Sequence, residues 1–199
     1  MAMPPEDLQP ELALVERMKG GDESAFVQLY RRHRDAVYRL ALMYSGSAAL
    51  AADVTQEAFI HFISHPGQYD AARGTLGAWL CGVARNMARK AAGIREDATD
   101  PSLLADDMAP MESQVEHDTP LERVLRDEAA EHVRRAIASL APHYRDVLIL
   151  CELSELSYAE AAQVCGIDIG TVRSRLSRAR ARLAQCLAPY RHGAKEAVT

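Results

Sequence analysis

The stretch SYAEAAQVCGIDIGTVRSRL, residues 157–176, has the spacing of two short helices joined by a tight turn. Ser157 is followed three residues later by Glu160, a capping box that marks the start of the first helix. Ala162 is small where the two helices must approach closely, and Gly166 suits a turn that requires a positive φ. The stretch therefore predicts a helix-turn-helix. The apolar side chains expected to pack between its two helices are Ile167 and Val172.

The second helix of this pair is rich in arginine, since TVRSRLSRARARL, residues 171–183, contains five arginines and no acidic residue. Apolar residues recur at three- and four-residue steps along it and predict one buried stripe, with the arginines outside that stripe. Such a helix fits the major groove of DNA, where arginine can bridge guanine O6 and N7 or hold phosphate oxygens. A solvated basic helix without a ligand is the alternative. The candidate DNA contacts on this helix are Thr171, Arg173, Ser174, Arg175, Ser177, Arg178 and Arg180.

The surrounding chain is acidic, with a formal net charge of -5 over 199 residues. The acidity is concentrated in residues 93–136, which hold twelve acidic and five basic residues. Within that segment, residues 93–120 have three prolines and no helical periodicity, which is typical of a linker. Helical patterns occupy both flanks. The sequence predicts an all-α fold of two small helical domains, residues 7–92 and 121–190, joined by a flexible acidic linker over residues 93–120.

The motif DVTQEAF, residues 53–59, brings three polar residues to one face of a predicted helix. Asp53, Gln56 and Glu57 are three and four residues apart, while Val54 and Phe59 turn inward. A small patch of carboxylates and an amide suits a basic helical partner. An ordinary solvated helix face is the alternative.

The motif WLCGVARNMARK, residues 79–90, combines one aromatic side chain, one amide and several cations on neighbouring faces of a predicted helix. This combination suits single-stranded DNA, because bases stack on a ring, an amide reads a base edge and cations follow phosphates. Core packing is the alternative for Trp79, whose apolar neighbours belong to the core. The candidate contacts in this motif are Trp79, Arg85, Asn86, Arg89 and Lys90.

Several classes of protein are disfavoured by the sequence. No apolar run approaches the ~20 residues of a membrane span, and the N-terminus lacks the pattern of a secretory signal, so we expect a cytoplasmic protein without membrane insertion. Four separated cysteines predict reduced core thiols. His61 and His65 are spaced like two zinc ligands, but neither the HExxH glutamate nor a third ligand is evident. We expect no metal, no cofactor and no catalytic activity.

Two sets of motifs, in order along the chain, resemble the extracytoplasmic function (ECF) sigma factors. AFVQLYRRHRDAVYRLAL, DVTQEAF and RGTLGAWLCGVARN are similar to region 2 of that family, and residues 139–183 are similar to region 4. The resemblance covers about residues 20–92 and 130–187. It implies a specificity subunit of RNA polymerase that binds promoter DNA and core polymerase and is held inactive by a cognate anti-sigma factor.

The resemblance also implies roles for the motifs. Asp53, Gln56 and Glu57 would bind the polymerase clamp helices, and the arginine-rich helix would bind the −35 element. The WLCGVARNMARK helix and the loop before it would capture the −10 strand, which adds Tyr69 and Arg73 to the candidate contacts. The alternative is a helix-turn-helix transcriptional regulator with an N-terminal helical sensor domain.

Overall fold

The structure is a computed structural model that describes residues 8–93 and 121–196, with side chains described for residues 10–93 and 130–188. Every regular element in these ranges is helical, and they contain no strand, so the all-α prediction is confirmed. The predicted linker, apart from Gly93, lies outside the described residues, and the predicted domain boundaries stay predictions. The helices are α1 (Leu8–Lys19), α2 (Glu23–Ser45), α3 (Ala48–Ser64), α4 (Leu76–Ala91), α5 (Leu121–Ala138), α6 (Pro142–Leu148), α7 (Tyr158–Cys165) and α8 (Ile169–Glu196).

Helix α2 is the centre of the N-terminal half and packs against α1, α3 and α4. Its start is fixed by Asp22, whose carboxylate accepts the backbone N–H groups of Ser24 and Ala25. Its end is fixed by Gly46, which adopts the left-handed conformation that terminates a helix. The innermost residues of α2 are almost completely buried. They include Leu29, Val37, Leu40 and Tyr44.

Helix α3 carries the aromatic part of this core. Phe59 contacts the rings of Phe26 and Tyr30 on α2, with ring centroids 6.3 and 4.8 Å apart. Phe62, one turn further on, is fully buried and contacts Trp79 on α4 at a centroid separation of 5.6 Å. Because edge-to-face aromatic pairs add to the stabilisation from apolar burial, these rings fix α3 between α2 and α4.

The C-terminal half is built on α6 and α8, which pack against each other. Helix α6 continues into a π-helical turn, Ile149–Leu153, and its apolar side chains form the core against Leu176 of α8. Arg182 adds a cation–π contact, with its Cζ atom 4.8 Å from the centre of the Tyr144 ring. Helix α6 is therefore the element on which the helix-turn-helix rests.

Helix α8 is longer than the sequence predicts. The pattern indicates an end at Pro189, whereas the helix runs on to Glu196. Proline has no N–H to donate to the carbonyl of residue i−4, and its ring crowds that carbonyl, so Pro189 costs the helix about 3 kcal/mol but does not end it here.

The two halves pack against each other, chiefly through α4 and α7, with α2 contacting α5 and the π-helical turn. Buried residues of both halves form one continuous core. In the part of the chain that the structure describes, no helix has both the length and the apolar character needed to cross a membrane.

Candidate nucleic-acid interface

The helix-turn-helix is fixed by caps at both of its junctions. Ser157 and Glu160 form the predicted capping box at the start of α7, and Gly166 ends α7 in the left-handed region at φ 67°. Asp168 then starts α8, where its carboxylate accepts the backbone N–H of Thr171 at 2.8 Å and the Thr171 hydroxyl at 2.6 Å. These two hydrogen bonds hold the pKa of Asp168 below its usual value. Because Thr171 donates its hydroxyl to the Asp168 cap, its side chain is engaged within the motif.

The faces of α8 separate as the sequence predicts. Val172, Leu176 and Ala179 are 0–1% exposed and form the buried stripe, with Leu183 half-buried beyond them. Of the candidate DNA contacts, Thr171 and Arg175 are half-buried. The exposed ones are Arg173, Ser174, Ser177, Arg178 and Arg180.

The exposed arginines of α8 are not equivalent. Arg180 forms an ion pair with Glu152 in the π-helical turn. A DNA phosphate would therefore have to displace Glu152 from Arg180. Arg173 and Arg178 project from the solvent side of the helix, where a flat ligand such as the edge of a base pair can reach them.

A second candidate surface lies around the start of α4 and the loop before it. Tyr69 is only 5% exposed and donates from its hydroxyl to the carbonyl of Gly74 at 3.3 Å. Its ring is 6.1 Å from that of Trp79. Trp79 is half-buried, so one part of the indole packs in the core and another part faces a cavity. Core packing therefore accounts for part of the Trp79 environment, and its contact with single-stranded DNA stays a prediction.

The cavity beside Trp79 has a volume of about 380 Å³. Both halves of the chain enclose it, because α4 and the preceding loop supply most of the wall and α7 supplies the rest. Beside the carboxylate of Asp70, it offers aromatic rings, amides and a guanidinium, the groups that bind an unstacked base and its phosphate. The lining side chains that carry this chemistry are Tyr69, Arg73, Trp79, Asn86 and Gln163.

The remaining candidates of α4 lie in different environments. Lys90 is exposed, whereas Arg85 and Arg89 are buried, at 6% and 8% exposure. Both arginines bind Asp146 of α6: Arg85 Nε donates to Oδ2 at 3.0 Å and Arg89 Nη1 donates to the same oxygen at 2.8 Å. The Tyr44 hydroxyl donates to the other carboxylate oxygen at 2.6 Å. We call Tyr44, Arg85, Arg89 and Asp146 the Asp146 cluster.

Within the Asp146 cluster, the carboxylate of Asp146 stabilises the charged form of Arg85. Burial alone would lower the pKa of Arg85, but the charge and hydrogen bonds of Asp146 outweigh it and raise that pKa. Burial, together with the Asp146 charge, raises the pKa of Tyr44 well above its usual value. At neutral pH, Arg85 is therefore a buried cation and Tyr44 a buried neutral donor, both directed at one carboxylate.

The candidate partner-binding face on α3 is open to solvent. Asp53, Gln56 and Glu57 are all exposed, as the helical spacing predicts. The same stripe continues one and two turns further with Ile60 and Ile63, which are 52% and 48% exposed. Sequence reasoning missed these two isoleucines, although they follow Glu57 at steps of three residues and lie off the buried face.

The two histidines with zinc-like spacing are part of the aromatic cluster. His61 stacks on His65 at a centroid distance of 4.7 Å and its Nε2 atom is 2.9 Å from Gln68 Oε1. Among the described residues, no three His, Cys, Asp or Glu side chains are grouped as metal ligands.

Comparisons with known proteins find matches in both halves of the chain. A family model described as Sigma-70 region 2 matches residues 29–93, and one described as Sigma-70, region 4 matches residues 130–183. The ECF RNA polymerase sigma-E factor of Escherichia coli is 35% identical over 173 residues, which cover 84% of this chain and 88% of that relative. The chain belongs to the ECF sigma factors of the sigma-70 family. The first of the matched segments is sigma region 2 and the second is sigma region 4.

Two solved structures share the architecture. CnrH, solved in complex with the cytosolic domain of CnrY, is 25% identical with a TM-score of 0.68, over 89% of this chain and 96% of that chain. The sigma factor RpoE, solved in complex with the anti-sigma factor NepR from Bartonella quintana, is 26% identical with a TM-score of 0.58, over 82% of this chain and 96% of that chain. Other curated relatives are longer, and this chain spans 65% of the length of two of them.

Sequence reasoning missed the residues through which sigma regions 2 and 4 contact each other. Asp146 and Gln163 in region 4 face region 2, and Glu160 accepts the Thr75 hydroxyl at 2.5 Å. The one local signal was an acidic residue inside the apolar stretch HYRDVLILCEL, since a buried carboxylate requires partners.

Proposed function

We propose that this ECF sigma factor directs core RNA polymerase to specific promoters and starts transcription there, with no catalytic site of its own. The observation that carries the proposal is the exposed arginine face of α8, held opposite a buried stripe in region 4 of a chain that also contains region 2. A helix-turn-helix presents this face of its second helix to the major groove.

For the −35 element, we assign the exposed side of α8. Arg173 and Arg178 are free to bridge guanine edges, and Ser174 and Ser177 lie between them as shorter hydrogen-bonding groups. Arg180 is a weaker candidate because Glu152 neutralises it. Thr171 is also a weaker candidate, because its hydroxyl and backbone N–H are bound to the Asp168 carboxylate, which a phosphate would have to displace.

For the −10 element, we assign the cavity beside Trp79 and the cations near it. The ring, Asn86 and Arg73 supply stacking, base-edge and phosphate contacts around a volume of about 380 Å³. Tyr69 acts by supporting Trp79. Lys90 is accessible, whereas Arg85 and Arg89 reach DNA only after leaving Asp146.

For core polymerase, we assign the exposed stripe of α3. Asp53, Gln56 and Glu57 supply charge and hydrogen bonds for a basic helical partner, and Ile60 with Ile63 extends the contact with apolar area. Interfaces commonly combine an apolar centre with a polar rim, and this stripe offers both.

Regulation by an anti-sigma factor, and action in the cytoplasm where polymerase is found, complete the proposal. Support comes from the neighbour RpoE, which was solved in complex with the anti-sigma factor NepR. The anti-sigma partner of this chain would be the protein that binds the purified chain and stops the transcription it directs.

The test is a transcription reaction with bacterial core polymerase and a library of promoters. The chain should give defined start sites preceded by two enriched sequence elements at a fixed spacing. The double variant Asp53→Asn, Glu57→Gln should lose most of this activity by failing to bind core polymerase. Asp35→Asn, an exposed carboxylate on α2 beside Arg34, is its control. Absence of any defined start site with the unaltered chain would overturn the proposal.

A regulator with an N-terminal sensor domain is the alternative from sequence. It is disfavoured because residues 29–93, where that sensor would lie, match region 2. The two functions differ in one measurement: a regulator binds duplex promoter DNA by itself, whereas a sigma factor of this kind requires polymerase.

A further inference from the structure

The cavity beside Trp79 has the size and the walls of a site for one small molecule. Its volume of about 380 Å³ is at the lower end of the range in which proteins hold small ligands. The indole of Trp79 is fixed on its inner side by Phe62, at a centroid separation of 5.6 Å, and by the edge-on ring of Tyr69 at 6.1 Å. One planar ring can therefore lie against the part of the indole that faces the cavity.

The amides of Gln68 and Asn86, which line the cavity, can offer N–H donors to a ligand. Asn86 Oδ1 accepts a hydrogen bond from Arg85 Nη1 at 3.1 Å. Gln68 Oε1 lies 2.9 Å from His61 Nε2, which is the donor because an amide oxygen only accepts. In the described part of the chain, neither NH₂ group has a protein partner. A ligand with neighbouring acceptors would satisfy them.

Two opposite charges lie at the edge of the cavity in a single turn. The backbone N–H of Arg73 donates to the carbonyl of Asp70 at 3.0 Å, and Asp70 Oδ1 accepts the backbone N–H of Ala72 at 2.9 Å. Both charged side chains are exposed, and neither forms an ion pair with the other or with another described residue. The cavity therefore offers a guanidinium to an anionic group and a carboxylate to N–H donors.

We propose that the cavity binds a free guanine nucleotide, with its base against Trp79 and its phosphate on Arg73. Guanine O6 and N7 are neighbouring acceptors, which suit the NH₂ groups of Asn86 and Gln68. The N1–H and N2–H donors of guanine suit the carboxylate of Asp70. Adenine has an amino group in place of O6, so a donor of the cavity would face a donor of the base.

This ligand goes beyond the promoter strand assigned above to the same cavity. A free nucleotide and a base of the −10 strand would use the same ring and amides, so they would compete. That competition rests on the proposed function, whereas binding of the nucleotide to the free chain does not.

The test is a titration of the full chain, without polymerase, with guanosine 5′-monophosphate. Trp79 is the single tryptophan of the sequence, so its fluorescence reports on the cavity, with free tryptophan as the correction for absorption by the base. The nucleotide should quench Trp79 saturably. Adenosine 5′-monophosphate should bind about fivefold more weakly because one hydrogen bond is lost. Guanosine should also bind about fivefold more weakly because it lacks the phosphate.

Arg73→Gln tests the phosphate contact. It should weaken binding of guanosine 5′-monophosphate about fivefold and change binding of guanosine by less than about twofold, since only the first ligand has the group that Arg73 binds. Retained guanosine binding shows that the cavity of the variant is intact. Arg34→Gln is the matched control, because Arg34 is an exposed arginine on α2 that pairs with Asp35. It should change both affinities by less than about twofold.

Asn86→Asp tests the contact with the base. The new carboxylate keeps an oxygen for Arg85 but has no N–H to donate. The preference for guanosine 5′-monophosphate over adenosine 5′-monophosphate should therefore fall to about twofold or less. Because the two nucleotides carry the same phosphate, the added negative charge affects both and cancels in their ratio.

The proposal is overturned if millimolar guanosine 5′-monophosphate gives no saturable change in Trp79 fluorescence. It is equally overturned if Arg73→Gln weakens nucleotide and nucleoside alike, or if Asn86→Asp leaves the preference unchanged. A short single-stranded deoxyoligonucleotide with one guanine provides the other source of the same base. If it displaces the nucleotide at a lower concentration than unlabelled guanosine 5′-monophosphate does, the cavity serves a strand and the free-nucleotide site is rejected.

These outcomes are separate from those of the transcription test. Defined start sites without nucleotide binding would retain the sigma function and remove this site. Nucleotide binding without any defined start site would retain the site and remove the competition with promoter DNA.

Discussion

Arg173 and Arg178 on α8 are exposed, whereas Arg85 and Arg89 on α4 are 6% and 8% exposed and bound to Asp146. All four are arginines on amphipathic helices, and all four are assigned to promoter DNA. The difference lies in what covers the helix. On α8 the outer face meets solvent, while on α4 the corresponding face meets region 4. The arginines of α8 are therefore accessible in this structure, whereas Arg85 and Arg89 of α4 are covered by region 4.

This contrast shows that a helix can be buried on two sides without being apolar all round. Leu76 and Leu80 of α4 are fully buried within region 2, as the sequence pattern predicts. Cys81, Ala84 and Ala88 are also buried, which widens the covered surface beyond one stripe. Gly82 lies against Val164 of α7, and Arg85 and Arg89 are buried where region 4 supplies Asp146.

The largest expected effect comes from removing a buried residue that holds α8 in place. Leu176 is 1% exposed in the stripe that holds α8 on α6. Leu176→Ala should lower the free energy of unfolding by about 2–5 kcal/mol, because it removes buried methyl groups and leaves a cavity. Ser177→Ala, its exposed neighbour, should change it by less than about 0.5 kcal/mol. Urea denaturation followed by circular dichroism measures both. Equal costs would mean that α8 is not held by this stripe.

A smaller effect, on DNA binding, should distinguish the exposed Arg178 from Arg180, which is paired with Glu152 on the same helix. Arg178→Ala should weaken binding of the polymerase complex to its −35 element by about 1–3 kcal/mol if Arg178 bridges a guanine. Arg180→Ala should weaken it less, since Arg180 must first give up Glu152. Quantitative footprinting with core polymerase measures both variants, and core binding serves as the control that neither should change. A larger loss for Arg180→Ala would show that DNA replaces Glu152 readily.

The sequence predicts features that depend on neighbouring residues and misses contacts between residues that are far apart in the chain. Ser157, Glu160 and Gly166 specify the turn through neighbours within a few residues, and Val172 and Leu176 specify the buried stripe through helical periodicity. The burial of Arg85 could not be predicted in this way, because its partner Asp146 is 61 residues along the chain. Tyr44 is 102 residues from the same carboxylate. No local pattern in α4 indicates which surface of another domain will cover it.

The smallest expected effect concerns the hydrogen bond that joins the caps of α4 and α7. Burial would raise the pKa of Glu160, but hydrogen bonds from Thr75 and Ser157 outweigh it and hold that pKa below the usual 4.5. A carboxyl whose pKa is lowered by folding stabilises the folded state above its usual pKa, and this stabilisation is lost as the pH falls through the lowered value. The contribution should be under about 1 kcal/mol, because the carboxyl is partly exposed and screened by solvent.

The pH dependence should therefore be visible as a difference between variants. The melting temperature of the native chain should exceed that of Glu160→Gln at neutral pH, and the two should converge as the pH is lowered below the usual range of glutamate. Thr75→Val removes the donor from region 2 but leaves Ser157 in place, so it should reduce this convergence without abolishing it. If Thr75→Val leaves the pH dependence unchanged, Glu160 serves only the cap of α7. The contact between regions 2 and 4 then depends on the Asp146 cluster and on the packing of Gly82 against Val164.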